Sequence, residues 1–320
     1  MKANVNLLRP NQFNDYIGQN KLKEKLAILI ESAQNREDSL DHILLYGPPG
    51  LGKTTIARVI SNNLQSNMRT TSGPVIDRVG DMASILMSLK DRDILFIDEI
   101  HRLNRAVEEL LYSAMEDRKL DLVIGKGPTA KSVEINLAKF TLIGATTNAS
   151  LLTAPLRDRF GFVHRLEYYG DEDLFEIVKR NSKIFDLNIL DSAAINISKI
   201  SRGTPRIANR FLKRIRDFVD VNGVKEVNEK TVDRVLHMMD VDNLGLESIE
   251  RDILKIIVDR YSGGPVGIEA IATVLGENRK SLESIHEPYL VKLGLMERTR
   301  KGRKITEKGY KHIKDISKKS

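Results

Sequence analysis

The stretch HILLYGPPGLGKTTIARVI, His42 to Ile60, joins an apolar run, a glycine-rich turn and a helix start. The turn fits the spacing G-x-x-x-x-G-K-[ST] at Gly47, Gly52, Lys53 and Thr54. In this pattern, backbone N–H groups and a helix N-terminus converge on phosphate oxygens. Lys53 can reach the outer phosphates as a point charge, and the Thr54 hydroxyl can bind Mg²⁺. The stretch therefore predicts a strand, a phosphate-binding loop and a helix.

Length and composition limit the classes of protein to consider. The chain has 320 residues, enough for two or three domains with separate cores. It has no cysteine, which excludes disulfides, thiolate metal sites and a cysteine nucleophile, and its six histidines lie at least 26 residues apart. Because we find no signal peptide and no apolar run of about 18 residues, we expect a soluble, cytoplasmic protein without a membrane segment.

Positive charge is concentrated near the end of the chain. The net charge is +7, and residues 291–320 hold eleven Lys or Arg against three acids. The remaining residues are therefore close to neutral in sum. A solubilising tail is one explanation, and an electrostatic footprint for nucleic acid is the other.

A second segment, DILFIDE from Asp93 to Glu99, is an apolar run that ends in two acids, Asp98 and Glu99. This run predicts a buried strand that delivers two carboxylates at its carboxyl end, where ligands bind in open α/β sheets. We expect Asp98 to hold Mg²⁺ through water and Glu99 to accept the proton of an attacking water.

Three further polar segments point to the same chemistry. The strand predicted over Phe140–Thr146 ends in Thr147 and Asn148, and a polar residue there can orient water against a terminal phosphate. The segment PLRDRF contains two arginines, Arg157 and Arg159, and a guanidinium there could neutralise charge on a phosphate, although a salt bridge through Asp158 is the alternative. Arg206 follows the helix start GTP, where a cation is favourable only near an anion.

Beyond the first 167 residues the pattern changes twice. Residues 171–240 read as amphipathic helices without a strand signal, which predicts a separate helical domain. From Leu246 onward, three short helices precede two short strands around the basic turn Arg300–Arg303, which is a winged-helix arrangement. Earlier in the chain, alternating runs at Leu120–Gly125 and Ser132–Leu137 predict a β-hairpin, either a projecting contact surface or a plain sheet edge.

The motifs GPPGLGKT, LFIDEIH, GATTN, PLRDRF and GTPR together resemble the ordered motif set of AAA+ ATPases. The segments RTTSGP, AMED, RGTPRIANR, GGPVG and EPYL extend this resemblance, over nearly the whole chain, to the bacterial Holliday-junction branch-migration ATPases. The resemblance implies an α/β fold with three parts. These are a large AAA+ domain with a parallel sheet (1–167, with a projecting hairpin at about 120–137), a small helical lid domain (168–242) and a winged-helix DNA-binding domain (243–320).

The resemblance also implies a role for particular residues. The adenine site would be lined by Leu8, Arg9, Tyr16 and Ile17. The phosphates and Mg²⁺ would be held by Gly50, Gly52, Lys53, Thr54 and Thr55, with Thr54 and Asp98 as metal ligands. Catalysis would involve Lys53, Asp98, Glu99, the first sensor Thr147 or Asn148, and Arg206, which closes the lid with Tyr169. A neighbouring subunit's ATP would meet Arg159, near Glu116, Asp117 and Arg118. The DNA-contacting arginines would be Arg298 and Arg303.

The partners implied by the resemblance are ATP, Mg²⁺, the duplex arms of a Holliday junction, RuvA, and the resolvase RuvC where present, with the subunits forming a homohexameric ring. The hairpin would dock on RuvA. A nucleotide-switched replication initiator also joins an AAA+ module to a winged helix, and it stays open as an alternative. A clamp-loader subunit fits less well because it lacks the winged helix.

Overall fold

The computed structural model describes residues 8–124 and 131–317. These residues fall into two compact units. The first unit contains the chain up to Asp186 together with Gly203–Leu212, and the second contains Leu187–Arg202 and the chain from Lys213 onward. The lid domain expected over 168–242 is thus divided between the units, and the three-domain bounds stay a prediction.

A five-stranded sheet forms the centre of the first unit, in the order β2-β3-β6-β1-β7, with every pair of neighbours parallel. The strands of this unit, including two outside that sheet, are β1 (Ile43–Tyr46), β2 (Met68–Ser72), β3 (Ile94–Asp98), β4 (Lys119–Ile124), β5 (Lys131–Asn136), β6 (Thr141–Thr146) and β7 (Phe162–Arg165). The sequences of β1, β3 and β6 are nearly continuous apolar runs because these strands are buried. The strands predicted from DILFIDE and FTLIGAT are confirmed.

Helices and short turns connect these strands. The helices are α1 (Asn20–Asn35), α2 (Lys53–Asn63), α3 (Val79–Met87), α4 (Arg105–Glu116), α5 (Ala154–Asp158) and α6 (Asp171–Ile184), with short 3₁₀ turns at Gly73–Val75, Ile100–Arg102 and Ala149–Leu151. The side chain of Asn104 caps α4 by accepting from the Val107 N–H at 3.0 Å. The apolar faces of α3 and α4 join one core with Leu95 and Leu142 of the sheet.

The predicted hairpin forms a sheet of its own. Strands β4 and β5 pair antiparallel, with Leu120 opposite Ile135, and are separate from the five-stranded sheet. The plain-edge interpretation is therefore wrong, because β4 pairs with β5 and not with a strand of the large sheet. Residues 125–130, between the two strands in sequence, lie outside the described residues.

The second unit consists mainly of helices. They are α7 (Asp191–Ile200), α8 (Pro205–Asn222, which begins in the first unit), α9 (Glu229–Met238), α10 (Ser248–Tyr261), α11 (Ile268–Leu275), α12 (Arg279–Ser281), α13 (Glu287–Lys292) and α14 (Glu307–Ser317). Two antiparallel strands, β8 (Met296–Thr299) and β9 (Gly302–Ile305), form the wing. In the part of the chain that the structure describes, no helix is long and apolar enough to span a membrane.

The winged-helix prediction is confirmed, with two differences. The third predicted helix is broken, because a π turn at Leu282–His286 separates α12 from α13. Pro288 lies just after that turn and lacks a backbone N–H, so a regular helix cannot continue through it unchanged. Lys308, Lys311 and Lys314 lie in α14, whose Ile313 is buried in the domain core, so this part of the basic segment is helical.

Candidate active site

Three strand ends bring the predicted catalytic segments together. In the sheet, β6 lies between β1 and β3, so the carboxyl ends of these strands are neighbours. The phosphate loop, defined as residues 47–54, follows β1 and bonds directly to the end of β6 through the Gly47 N–H and the Thr146 carbonyl, at 3.2 Å. Asp98 ends β3 and Glu99 follows it, and Thr147 and Asn148 follow β6. This edge of a parallel sheet is where ligands bind in such folds.

Glycines shape the phosphate loop. Gly47, Gly50 and Gly52 have φ angles of 139°, 82° and 100°, which other residues rarely adopt. A Cβ at Gly47 would lie 2.7 Å from the Leu166 carbonyl oxygen, and one at Gly52 would lie 2.9 Å from the Tyr16 hydroxyl. The loop therefore keeps a narrow backbone cradle that leads directly into the N-terminus of α2.

Lys53 begins α2 and lies largely buried in this cradle. Its Nζ donates to the Gly47 and Pro48 carbonyls at 2.7 and 3.0 Å. Burial lowers the pKa of Lys53, and the carboxylates of Asp98 and Glu99 oppose that shift. The Lys53 ammonium therefore bonds to backbone carbonyls of the loop, and a bound phosphate could take their place as its partner.

The two carboxylates at the end of β3 are held by a strained turn. Glu99 has a φ of 49°, and its N–H donates to Asp98 Oδ1 at 3.0 Å. The Glu99 side chain lies 3.4 Å from the imidazole of His101. His101 was not singled out from the sequence, although its position two residues after the acid pair was visible there.

The segment after β6 differs from the buried strand that leads to it. Thr147 and Asn148 are both exposed. The Asn148 side chain caps the following 3₁₀ turn, because its Oδ1 accepts from the N–H and the hydroxyl of Ser150 at 2.9 and 2.8 Å. The polar residues expected at this strand end are therefore in place, with Asn148 fixed by its own turn.

The N-terminus of α8 lies beside the phosphate loop. A Cβ at Gly50 would lie 2.8 Å from the Thr204 methyl and 2.9 Å from Arg206 Cβ. Arg206 is exposed, and its charge contributes to the lowered pKa of Lys53. The structure thus brings two cations and the positive end of a helix to one place, an arrangement that favours an anion.

Two tyrosines, Tyr16 and Tyr169, also contact the phosphate loop. The Tyr169 hydroxyl donates to that of Tyr16 at 3.0 Å and lies 3.3 Å from the Leu51 carbonyl oxygen. Burial raises the pKa of Tyr169 to about 12 and that of Tyr16 well above its usual value. Of the other residues expected at an adenine site, Leu8 is buried, Ile17 is half-buried and Arg9 is exposed.

Arg159 directly follows α5, and its side chain contacts α4. Its guanidinium forms an ion pair with Glu116 and lies 5.4 Å from the centre of the Tyr112 ring. A salt bridge through Asp158 exists, but its partner is Arg157, at 3.9 Å. Next to Glu116 in the chain, Asp117 is exposed and Arg118 is half-buried.

The two arginines predicted to contact DNA differ in exposure. The Arg298 side chain is 58% exposed and bonds to Glu287 at 2.8 Å. The Arg303 side chain is only 11% exposed and is held by Glu287 and Glu283 at 2.8 and 3.0 Å. In this conformation Arg303 anchors the wing to α13, so the structure counts against a direct phosphate contact by Arg303 and leaves Arg298 as the more accessible of the two.

Comparison with known proteins gives matches over almost the whole chain. The family described as "Holliday junction DNA helicase RuvB P-loop domain" matches residues 8–166. The "RuvB AAA lid domain" family matches residues 169–242, and the "RuvB C-terminal winged helix domain" family matches residues 243–314.

Individual proteins agree with these families. The chain is 55% identical over 309 residues to the Holliday junction branch migration complex subunit RuvB of Fusobacterium nucleatum, covering 97% of this chain and 93% of that protein. Its fold is similar to that of the Thermotoga maritima RuvB Holliday junction branch migration motor, with a TM-score of 0.85 and 48% identity over 96% of this chain and 98% of the other. A mutant of the Thermotoga protein gives a TM-score of 0.86 at 47% identity over the same shares.

Proposed function

The chain belongs to the RuvB family, and on this premise we propose that it hydrolyses ATP in a hexameric ring to draw duplex DNA through a Holliday junction. It is an ATP-driven branch-migration motor with a P-loop ATPase domain. The observation that carries the assignment of its site is the meeting of the phosphate loop, the Asp98–Glu99 pair and the N-terminus of α8. The replication-initiator alternative is not favoured, because all three domain matches are to RuvB families.

ATP is the proposed substrate of this site. The glycine cradle supports phosphate binding by Gly50, Gly52, Lys53, Thr54 and Thr55. The buried Tyr16 and Leu8 and the adjacent Ile17 and Arg9 are proposed to receive the adenine. Arg206 and Tyr169 would close the site over the nucleotide, since both lie beside the loop.

Mg²⁺ fits the same donor set. Thr54 and Asp98 offer one hydroxyl and one carboxylate, and within the described residues no cluster of three His, Asp or Glu side chains forms a complete metal cage. A magnesium ion usually binds through one or two carboxylates and substrate phosphates, so this sparse set suits it. Bound there, the ion would neutralise phosphate charge.

Glu99 is the proposed general base. It lies one residue beyond the proposed metal ligand Asp98, and its side chain is partly exposed. A carboxylate at this place can orient a water and accept its proton while the other carboxylate stays on the metal. Thr147 or Asn148 would orient the same water from the neighbouring strand.

Arg159 is proposed to act on the ATP of a neighbouring subunit, with Glu116, Asp117 and Arg118 at the same boundary. Its contacts among the described residues are with α4 and α5, and its side chain is still 31% exposed. A partly exposed arginine can be offered to a site on another chain. This position supports a ring with composite active sites.

The remaining partners follow from the family. We place the chain in the cytoplasm, with its ATPase, lid and winged-helix domains bounded at 1–167, 168–242 and 243–320. The hairpin of β4 and β5, being separate from the main sheet, would dock on RuvA. The winged-helix domain would hold the duplex arms. Of the two arginines predicted to contact DNA, the exposed Arg298 would reach phosphates, and the buried Arg303 would hold the wing in place. RuvC would resolve the junction where present.

The assignment is tested with two variants on a four-way junction in the presence of RuvA. Glu99→Gln should bind ATP and DNA but lose most ATP turnover and branch migration, since a general base is worth roughly 10²-fold or more. Lys53→Ala should instead weaken ATP binding itself. Near-normal turnover by Glu99→Gln, or normal ATP affinity of Lys53→Ala, would contradict the proposed roles.

A further inference from the structure

The imidazole of His101 bridges two of the strand ends that form the active site. His101 lies in the 3₁₀ turn that begins directly after Glu99. Its Nε2 is 3.4 Å from Glu99 Oε2, and its Nδ1 is 2.9 Å from the hydroxyl of Thr146. The side chain is only 13% exposed. One ring therefore contacts the last residue of β6 and the carboxylate that follows β3.

The partners indicate where the ring carries its proton. An ionised carboxylate can only accept hydrogen bonds, so the Nε2 that faces Glu99 is the protonated nitrogen. This leaves Nδ1 as an acceptor for the Thr146 hydroxyl, whose single proton lies between Nδ1 at 2.9 Å and the Asn148 carbonyl oxygen at 3.1 Å. A histidine held at both nitrogens has a fixed tautomer and a fixed ring orientation.

Thr146 extends the bridge to the next loop. Its side chain lies fully buried at the end of β6, and its hydroxyl accepts from the Asn148 N–H at 3.1 Å. Glu99, His101, Thr146 and Asn148 therefore form one continuous chain of polar contacts. It joins the proposed general base to the residue proposed to orient the same water.

We propose that His101 is a positioning residue for ATP hydrolysis, which holds the Glu99 carboxylate in place and ties it to the Asn148 turn through Thr146. The inference rests on the proposed role of Glu99 as general base. A partly exposed glutamate has several rotamers, and the Nε2–H selects those that reach the ring. Because misplacing a catalytic group by about 1 Å can cost on the order of 10²-fold, the loss of this contact should reduce the catalytic rate.

Two substitutions of the same histidine separate the contacts. His101→Gln places an amide N–H near the position of Nε2 and can keep the contact with Glu99. His101→Asn is shorter, so it can keep the contact with Thr146 but not the one with Glu99. We expect His101→Asn to lower the kcat of ATP hydrolysis roughly tenfold to hundredfold, with His101→Gln close to wild type. The affinity for a non-hydrolysable ATP analogue should stay unchanged in both.

Two substitutions of Thr146 test the same chain of contacts at a second residue. Thr146→Val keeps the shape but removes the hydroxyl, and should lower kcat in the same direction, whereas Thr146→Ser should retain it. In the Glu99→Gln background, His101→Asn should cause no further loss of single-turnover rate, because residues that act as one unit are not additive. If His101 only supported the fold, His101→Asn and His101→Gln would lower kcat equally, and both would reduce the melting temperature.

The outcomes distinguish this inference from the proposed function. Full ATP turnover by Glu99→Gln would contradict the role of Glu99 as general base, and therefore also the role of His101 in positioning it. If Glu99→Gln is inactive while His101→Asn turns over at the wild-type rate, only the positioning role is wrong. The positioning role would also be wrong if His101→Asn and His101→Gln lowered kcat equally. It would be wrong as well if His101→Asn lowered the single-turnover rate as much in the Glu99→Gln background as in the wild type.

Discussion

The His42 imidazole lies just before β1, where its two nitrogens hold neighbouring parts of the ATPase core together. Nδ1 accepts from the Leu142 N–H at 2.9 Å, and Nε2 is 3.3 Å from the Met115 carbonyl oxygen. The ring also packs on Phe140, with 5.5 Å between the ring centres. Burial lowers the pKa of His42 below its usual value of 6.5. The folded chain therefore holds this ring neutral.

A pH dependence of stability follows from this residue. The unfolded chain takes up a proton below about pH 6.5 that folded His42 resists, so its stabilising contribution is present above that pH and is lost as pH falls through the folded pKa. We expect the free energy of unfolding to fall between pH 7 and 5.5 by up to about 1.4 kcal/mol per pH unit. Urea denaturation at several pH values measures this slope.

Two variants make the assignment specific. His42→Asn can still accept from the Leu142 N–H but does not titrate, so it should show a smaller slope between pH 7 and 5.5. His237→Asn replaces an exposed histidine and should keep the wild-type slope. If His42→Asn retained the full slope, the pH dependence would have to come from another group.

At the scale of elements, the geometry of the catalytic turn depends on a neighbouring segment. Gly73 begins the 3₁₀ turn after β2, and a Cβ placed on it would lie 2.4 Å from the Glu99 carbonyl oxygen. That oxygen belongs to the backbone and cannot move without shifting the turn that carries Glu99 and His101. The close approach explains why a glycine occupies this position.

We expect Gly73→Ala to lower kcat by roughly tenfold or more, because it displaces the strained turn at Glu99. Gly80→Ala is the matched control, since an added Cβ there meets nothing within 4 Å. Gly80 lies in α3, where alanine is favoured over glycine by about 1 kcal/mol, so this variant should be active and slightly more stable. Steady-state ATPase rates and melting temperatures compare the two. Equal kcat values would show that the turn tolerates the displacement.

The elements also show which features the sequence could predict. The strands before the phosphate loop and Asp98 were predictable because buried parallel strands are short apolar runs with polar ends. The ion pairs of Arg303 could not be predicted, because its partners Glu283 and Glu287 lie 20 and 16 residues away in the chain. Helix α14 was missed because its lysines suggested a tail, although Tyr310 and Ile313 have helical spacing.

The active site was predictable to a similar extent. Lys53, Asp98 and Glu99 belong to local motifs whose chemistry depends on neighbouring residues. The bridge through His101 depends on a contact with Thr146, 45 residues along the chain, which exists only because β6 lies beside β3. No periodicity or local spacing specifies that adjacency.

At the scale of the whole assembly, the role of Arg159 is tested by mixing subunits. Arg159→Ala and Lys53→Ala subunits should each be inactive alone, with the loss from Arg159→Ala on the order of 10³-fold. If Arg159 acts on a neighbour's ATP, mixed rings should recover part of the ATPase rate, since one subunit supplies the arginine and the other the intact site. Mixing Lys53→Ala with Glu99→Gln is the control, because both defects then lie in the same half of the site. No recovery in rings that demonstrably contain both variants would contradict action between subunits.

At the same scale, the winged-helix domain is expected to bind duplex DNA. A motor that moves along any sequence should hold phosphates and not base edges. On the wing, Arg298 is 58% exposed and Arg300 is exposed in the turn, whereas Arg303 supports the fold through Glu287. Arg303→Ala would break a buried ion pair, which costs about 3–5 kcal/mol in stability, so its effect on DNA binding cannot be attributed to a lost phosphate contact.

We therefore expect Arg298→Ala/Arg300→Ala to lower the slope of log affinity against log salt by about one unit per contact, equally for duplexes of unrelated sequence. The matched control is Lys311→Gln/Lys314→Gln, which removes two exposed charges from α14 without disturbing the buried Ile313. Duplex affinity across a salt series and DNA-stimulated ATPase rates measure both variants. If the α14 variant loses more affinity than the wing variant, the positive charge near the end of the chain acts as a diffuse patch. If the wing variant loses affinity for only some sequences, the wing reads bases, and translocation would need another contact with the backbone.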